Sequence, residues 1–336
     1  MKKTNYLAIL MLAALSTAQL ALADEAVNPK PVTEQLVDTL TKLSNGPHKG
    51  FRSNHAKGIM ASGTFVPTAQ ASKVTKAAHL QPSDNLIPVT VRFSNATGVP
   101  TIADGDSNAR PKGIAIRFTL PDGGLTDIVA ISVNAFPAAT PEDFLGLLNA
   151  VADTKPGTPS PTPIEAFLGS HPAALKFVKM PKPAPASFAS QAYFGVNAFE
   201  FTNSKNEVRY GRYRILPESQ DLYLSDEDAN KKPADYLIQE LPNRLKANPA
   251  KFKIFIQLAN KGDEINDPTI VWPDDREVVE LGTLTLNSVV ENSNVVEKSI
   301  MFNPLALPDG IAPTNDPVLL ARPGAYAVSF GRRLAN

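Results

Sequence analysis

The chain has 336 residues with 33 basic and 33 acidic side chains, and it contains no cysteine. Its balanced charge gives no electrostatic basis for binding nucleic acid or an anionic membrane surface. The lack of thiols excludes disulfides, thiolate nucleophiles and cysteine-ligated metal sites.

The first 23 residues have the pattern of a secretory signal peptide. Lys2 and Lys3 precede an apolar run over residues 7–15, and Ala21 and Ala23 carry the small side chains that signal peptidase recognises. The apolar run is too short to span a membrane. We therefore expect export to the periplasm and one mature domain over residues 24–336.

One predicted helix precedes four predicted strands in the first half of the chain. Leu36, Leu40 and Leu43 recur at helical spacing, which predicts a helix over Thr33 to Leu43. Residues 73–79 are predicted to be irregular. Alternating or β-branched segments predict strands over residues 57–66, 87–94, 113–118 and 127–133.

A proline-rich stretch, residues 155–185, separates the two halves. It follows a predicted helix over residues 141–153, which has proline at its first position, and it contains one further predicted helix, Ile164 to Val178. The second half then predicts a helix over residues 234–245, interrupted by Pro242, and strands over residues 194–202, 207–215, 251–258 and 278–286.

These patterns give four strands on each side of the proline-rich stretch. Eight antiparallel strands can close into a barrel, so we expect an α+β fold in which helices surround an eight-stranded antiparallel β-barrel. Periodicity alone leaves a two-sheet sandwich nearly as plausible.

One histidine stands in a setting suited to catalysis. His55 follows Arg52 by three residues and precedes Gly58 by three, at the start of the first predicted strand. A neutral imidazole can both accept and return a proton near neutral pH. A polar surface histidine or a capping histidine is the alternative reading of this run alone. The other three histidines, His48, His79 and His171, have no comparable neighbours.

Four polar side chains form a stripe near the end of the chain. Arg322, Tyr326, Ser329 and Arg333 are spaced by four, three and four residues, which places them on one face of a helix. A solvated helix face is the alternative. Pro323 follows Arg322 directly, which leaves open whether Arg322 is a helical partner of Tyr326 or an extended N-cap.

The motifs together resemble those of the haem catalases. The run from Arg52 through His55 to Gly58 is similar to the family's distal motif, and residues 91–94, Val-Arg-Phe-Ser, are identical to its second-strand signature. Residues 112–118 resemble the next strand, and residues 322–326 resemble the proximal helix. The resemblance extends from about Gly50 to Arg333 and implies the minimal catalase fold.

The resemblance implies roles on the distal side of a haem b. His55 would be the catalytic base, Ser94 its hydrogen-bond partner, and Asn134 an amide that holds peroxide oxygens. The family typically has valine where this chain has Asn54, so the residue before the histidine lines the pocket differently and would loosen the selection for hydrogen peroxide.

The resemblance also implies roles on the proximal side and at the cofactor's edge. Tyr326 would be the axial ligand of the ferric iron, with Arg322 stabilising its phenolate form. Arg52, Arg92 and Arg333 would bind the two propionates, because planar guanidinium groups pair well with carboxylates.

The chain is most like the small exported peroxidases of this family. We expect a haem peroxidase that uses hydrogen peroxide or an organic hydroperoxide to oxidise organic donors, with weak catalase activity, as a monomer or small homo-oligomer. Two alternatives stay open. One is a fatty-acid hydroperoxide isomerase or lyase on the same fold, and the other is a periplasmic haem-binding protein without turnover.

Overall fold

The computed structural model describes residues 29–83, 86–220 and 222–335. The candidate signal peptide over residues 1–23 lies outside these ranges. From Pro31 onward the chain forms one compact unit. Among the described residues, no helix has both the length and the apolar character needed to cross a bilayer.

Antiparallel strands form the centre of the fold, and their pairing positions the cavity described below. In chain order the strands are β1 (Gly58–Pro67), β2 (Ile87–Asn95), β3 (Lys112–Thr119), β4 (Leu125–Ile131), β5 (Ala184–Pro185), β6 (Tyr193–Phe194), β7 (Phe199–Thr202), β8 (Val208–Pro217), β9 (Tyr223–Leu224), β10 (Ala250–Leu258), β11 (Val278–Val289) and β12 (Ile311–Pro313).

Eight of these strands close into a barrel. Around the ring they follow the order β1, β2, β3, β4, β6, β8, β10 and β11, and β11 pairs with β1. The antiparallel pairing of β8 with β10, which aligns Gly211 with Leu258 and Pro217 with Phe252, completes the closure. The predicted eight-stranded antiparallel barrel is confirmed, and the sandwich alternative is wrong.

The strand predicted over residues 194–202 is interrupted. β6 and β7 both pair with the same edge of β8, and residues 196–198 leave the ladder between them. Within this break the Asn197 side chain donates a hydrogen bond from Nδ2 to Asp316 Oδ2, at 2.7 Å. The break therefore directs a polar side chain out of the barrel wall toward the C-terminal helix.

Helices surround the barrel close to where the sequence predicts them. The helix predicted over residues 164–178 is divided at Pro172, which lacks the N–H that a continuous helix needs. The segment predicted to be irregular, residues 73–79, instead overlaps two single helical turns. The helices are α1 (Val32–Leu43), α2 (Ala71–Val74), α3 (Pro141–Asp153), α4 (Pro163–Ser170), α5 (Pro172–Lys179), α6 (Asp226–Lys231), α7 (Tyr236–Ala247), α8 (Ser293–Val296) and α9 (Pro317–Ala335).

The pleat of β2 separates the hydrophobic core from the polar site. Val91 and Phe93 are fully buried in the core, where the Phe93 ring stacks on Phe188 with centroids 5.4 Å apart. Successive side chains of a strand point to opposite faces. Arg92 and Ser94 therefore share the other face of β2, where both line a large cavity.

Candidate active site

The large cavity, called here the central cavity, lies between the barrel wall and α9. His55 and Ser94 line it from the barrel side, and Arg322 and Tyr326 line it from α9. Between these polar groups the wall is largely apolar and includes Val129, Ile131, Phe136, Phe144, Phe302 and Val318.

The polar stripe of α9 faces this cavity. Arg322, Tyr326, Ser329 and Arg333 all line it, so the predicted common face is confirmed and the alternative of a solvated face is wrong. The N–H of Ser53 donates to Ser329 Oγ at 3.2 Å, which joins α9 directly to the loop that carries the histidine.

The backbone of His55 is held in a conformation that is uncommon for a side chain with a Cβ. Its φ is 56°, in the left-handed region. The N–H of His55 donates to Asn54 Oδ1 at 3.0 Å, and its carbonyl accepts from Arg92 Nη2 at 2.9 Å. Asn54 and Arg92 therefore fix the direction in which the imidazole leaves the backbone.

The imidazole itself lies against β2 and β3. Its Nδ1 is 2.9 Å from Ser94 Oγ. A Cβ added at Gly113 would lie 2.8 Å from the imidazole Cε1 and Nδ1, so glycine is required there for the ring to fit. Burial, reinforced by the charges of Arg92, Arg322 and Arg52, lowers the pKa of His55 to about 3. The ring is therefore neutral, as a proton acceptor must be.

Asn134 is the one predicted catalytic residue that the structure does not bring to the cavity. β4 ends at Ile131, and it is Ile131 that lines the cavity, in register with Gly113 beneath the imidazole. Ser132 points elsewhere, because its Oγ accepts from the Lys112 N–H at 2.9 Å. The wall beside His55 is therefore apolar at Ile131, and the predicted amide of Asn134 does not line it.

Tyr326 is held by Arg322 on the opposite wall. Its hydroxyl oxygen accepts from Arg322 Nε at 3.0 Å and from Nη2 at 2.9 Å. α9 runs without interruption from Pro317 to Ala335 through Pro323. Arg322 is therefore a helical partner four residues before Tyr326, and the alternative of an extended N-cap at Arg322 is wrong.

Two residues outside the predicted site, Asn197 and Asp316, anchor Arg322. Its Nη1 donates to Asn197 Oδ1 at 2.6 Å, and Asn197 in turn donates to the buried Asp316. Asp316 Oδ1 also accepts the N–H of Val318 at 2.9 Å, so it caps the start of α9. The Asp-Pro pair at 316–317 is typical of a helix start, whereas nothing in the sequence around Asn197 distinguishes it.

Three arginines form a cluster at one end of the central cavity. The segment of residues 297–300 binds all of them through its backbone carbonyls or its side chains. Arg52 Nη2 donates to the carbonyls of Glu297 and Ile300, both at 2.9 Å, and Arg333 Nε donates to the Lys298 carbonyl at 2.9 Å. Arg92 forms its ion pair through Nε with the buried Glu297 carboxylate.

The arginine cluster carries an excess of positive charge. Arg52, Arg92 and Arg333 face the cavity, and the described ion pairs of these three guanidinium groups are all with Glu297. Burial, with the neighbouring Arg92 and Arg333, lowers the pKa of Arg52 to about 8. A buried pair of uncompensated positive charges is unfavourable, so the cluster is suited to a ligand with two carboxylates.

The chain matches the model of one known protein family over most of its length. The family model for catalase matches residues 37–336. This chain belongs to the catalase family. Catalases and their relatives act on peroxide, so the protein is a peroxide-acting oxidoreductase.

Individual relatives place the chain among the small members of the catalase family. It is 35% identical over 327 residues to a catalase-related peroxidase of Synechococcus elongatus, covering 96% of this chain and 94% of the relative. It is 34% identical over 303 residues to a catalase-related peroxidase of Mycolicibacterium paratuberculosis, covering 89% and 94%. A solved fungal catalase has the same fold, with a TM-score of 0.77 at 24% identity, and the match covers 90% of this chain and 63% of that one.

Haem is the cofactor typical of catalases, and the central cavity fits it in three respects. The largely apolar walls suit the faces of a porphyrin. The two excess positive charges of the arginine cluster match two propionates. The hydroxyl of Tyr326, which accepts two guanidinium hydrogen bonds, is the kind of oxygen that would bind ferric iron as a phenolate.

Proposed function

We propose that this catalase-family protein is a peroxidase that holds haem b with Tyr326 as the axial iron ligand and uses peroxide to oxidise organic donors. The observation that carries the proposal is the pairing of a neutral His55 imidazole and an arginine-bound Tyr326 hydroxyl on opposite walls of one cavity. Bound haem would supply the redox centre that takes up the two oxidising equivalents of the peroxide.

His55 would move the proton during peroxide cleavage. In the tautomer in which Nδ1 donates its hydrogen to Ser94 Oγ, the lone pair of Nε2 is free to accept a proton from the attacking peroxide oxygen. The same nitrogen can return that proton to the departing oxygen, which leaves as water or as an alcohol. The lowered pKa of His55, about 3, keeps Nε2 deprotonated before each turnover.

Arg322 would hold the Tyr326 oxygen in place for metal binding. Two N–H groups of one guanidinium donate to that oxygen, and the planar fork of an arginine fixes the position of its acceptor. The Asn197 and Asp316 side chains would hold the guanidinium in place, as outer-shell partners do at metal sites.

The apolar wall beside His55 favours peroxidase turnover over dismutation. Dismutation needs a second hydrogen peroxide molecule to be bound and oriented, and Ile131 offers it no hydrogen-bond donor. The same apolar wall can accommodate the alkyl group of an organic hydroperoxide. We therefore infer weak catalase activity and use of organic hydroperoxides.

The test compares oxygen release with donor oxidation in one sample of haem-loaded protein. We expect oxidation of a chromogenic donor by hydrogen peroxide and by cumene hydroperoxide, with oxygen release far slower. Oxygen release at the speed of a full-length catalase would overturn the proposal. Conversion of a fatty-acid hydroperoxide to an epoxide, alcohol or aldehyde without any donor would instead identify an isomerase or lyase, which the apolar wall also permits.

We further infer that the protein is exported to the periplasm as a monomer or small homo-oligomer. The charged start, apolar run and small residues of positions 1–23 support export. Cell fractionation with mass spectrometry of the mature N-terminus tests this, and a cytoplasmic protein that retains residue 1 would contradict it.

A further inference from the structure

A second cavity, called here the side cavity, adjoins the arginine end of the central cavity. It measures about 270 Å³. Part of its wall comes from the loop that follows α1, and part is shared with the central cavity. The loop contributes Pro47, His48 and Phe51, and the shared residues are Arg52, Ser53 and Arg333.

The side cavity has the size and surface to hold one aromatic ring. An apolar cavity of ~150 Å³ is enough to bind benzene, and the side cavity is larger. The ring of Phe51 lines it and is 37% exposed to solvent. Offset stacking on an exposed aromatic ring is a favourable contact for a second ring.

His48 offers a proton acceptor in the same cavity. Its Nε2 lies 2.9 Å from the backbone carbonyl oxygen of Ser44. A carbonyl can only accept, so Nε2 carries the hydrogen, and in the neutral ring Nδ1 then has a lone pair to accept another. Among the described residues, Nδ1 has no hydrogen-bond partner.

Charge decides which aromatic compounds fit best. Once two propionates neutralise the excess charge of the arginine cluster, Arg52 and Arg333 have no surplus attraction for an anionic donor. Arg332, the remaining arginine of the side cavity, is already paired with Asp38 at 2.7 Å. A neutral phenol, with an apolar ring and one hydroxyl donor, therefore matches the cavity better than an aromatic acid does.

We propose that the side cavity binds the reducing substrate, a neutral phenol whose ring packs on Phe51 and whose hydroxyl donates to His48 Nδ1. The proposal rests on the peroxidase function proposed above. Because Arg52, Ser53 and Arg333 line both cavities, a single layer of side chains would separate a phenol in the side cavity from a cofactor held by the arginine cluster. That short separation suits electron transfer.

His48 would act because a phenol that loses one electron must also lose its proton. The O–H bond breaks, the electron passes to the peroxide-oxidised enzyme, and the proton passes to His48 Nδ1 and then to solvent. One peroxide and two phenols thereby give two waters and two phenoxyl radicals. Peroxide is the oxidant, and both atoms and electrons balance.

The first test is His48→Gln, whose amide can still donate to the Ser44 carbonyl but cannot take up a proton. Peroxide-driven oxidation of p-cresol is compared with oxidation of ferrocyanide, which gives up an electron without a proton. We expect the ratio of p-cresol to ferrocyanide turnover to fall at least ~10-fold, since general bases contribute ~10²–10⁴-fold. His171→Gln, which alters a histidine that stacks on Phe167 and lines neither cavity, is the matched control and should leave the ratio unchanged.

The second test measures binding without turnover. Calorimetric titration of p-cresol into haem-loaded protein in the absence of peroxide should show one site, and Phe51→Ala should weaken binding by ~2- to 12-fold, as loss of an aromatic stacking contact does. Equal effects of His48→Gln on both donors, or p-cresol affinity unchanged in Phe51→Ala, would overturn the side-cavity assignment. Failure of the wild type to oxidise either donor would instead overturn the peroxidase function.

Discussion

The two walls of the central cavity hold their reactive groups by opposite means. On the barrel wall, His55 makes one side-chain hydrogen bond, to Ser94, and lies in a buried, positively charged setting that keeps it neutral. On the α9 wall, the Tyr326 oxygen accepts two hydrogen bonds from Arg322. Burial and positive charge thus suppress protonation of the imidazole on one wall, whereas two hydrogen bonds fix the position of the phenol oxygen on the other.

The supports also differ in where they come from. His55 is held by the neighbouring Asn54 and by side chains of β2. β2 pairs with β1, which begins three residues after the histidine. Tyr326 depends on Asn197, in a break of the barrel wall, and on Asp316 at the start of α9. We therefore expect substitutions on the barrel wall to affect proton transfer and substitutions around α9 to affect cofactor binding.

The largest effect on proton transfer should come from His55→Ala. Removing a general base costs ~10²–10⁴-fold in rate, so the reaction with peroxide, followed by stopped-flow spectroscopy, should slow by that factor. Haem content should stay at the wild-type level, because His55 is not among the groups that would hold the cofactor. His171→Ala is the control. Loss of haem in His55→Ala would remove the distinction between the two walls.

Gly113→Ala should slow the same step without removing any functional group. The new Cβ would lie 2.8 Å from the imidazole, so the ring must shift, and a misplacement of ~1 Å can cost ~10²-fold. Gly169→Ala is a matched control, because nothing lies within 4 Å of the Cβ it adds. A Gly113→Ala rate equal to that of the wild type would mean that the position of the ring does not limit the reaction.

Asn197→Ala should affect the other wall. It removes the acceptor of Arg322 Nη1, and loss of an outer-shell partner typically costs ~10–100-fold in metal-site affinity or activity. Haem transfer to excess apomyoglobin should therefore be faster by about that factor, while the bimolecular rate with peroxide changes much less in the haem-loaded fraction. Unchanged haem transfer together with a slower reaction with peroxide would contradict the assignment of Asn197 to cofactor binding.

The pH dependence should be the smallest effect. His55 accepts a proton only when neutral, and its pKa of about 3 keeps it neutral at pH 5 and above. The stopped-flow rate with peroxide should then change by less than ~2-fold between pH 5 and 8. If His55 had the ordinary pKa of ~6.5, its protonation would lower the rate ~30-fold between pH 8 and pH 5. A decrease of that size would show that burial does not lower the pKa of His55.

Local patterns made much of the barrel wall predictable from the sequence. The alternation in β2 already separates Phe93 from Arg92 and Ser94, and the spacing in α9 already puts Arg322 and Tyr326 on one face. Asn134 was misplaced because the sequence does not show where β4 leaves the sheet. Ile131, the last residue of β4, lines the cavity instead.

The supports that act across the fold could not be predicted in this way. Asn197 reaches Asp316 across 119 residues, and Arg92 reaches Glu297 across 205. Neither contact follows from periodicity or a short motif, because each depends on how the barrel closes and on which loops meet α9. The break between β6 and β7 is equally invisible, since Phe194, Val196 and Ala198 continue the alternation of apolar side chains that predicts a strand.

The visible absorption spectrum of haem-loaded Tyr326→Phe, compared with that of the wild type, tests most directly whether Tyr326 binds the iron. Phenylalanine keeps the ring and removes the oxygen that Arg322 holds. We expect a high-spin ferric spectrum with a phenolate charge-transfer band in the wild type and its loss in the variant, while Tyr210→Phe, on β8 outside the cavity lining, retains it. An unchanged spectrum in Tyr326→Phe would contradict the proposed axial ligand and with it the assignment of the two walls.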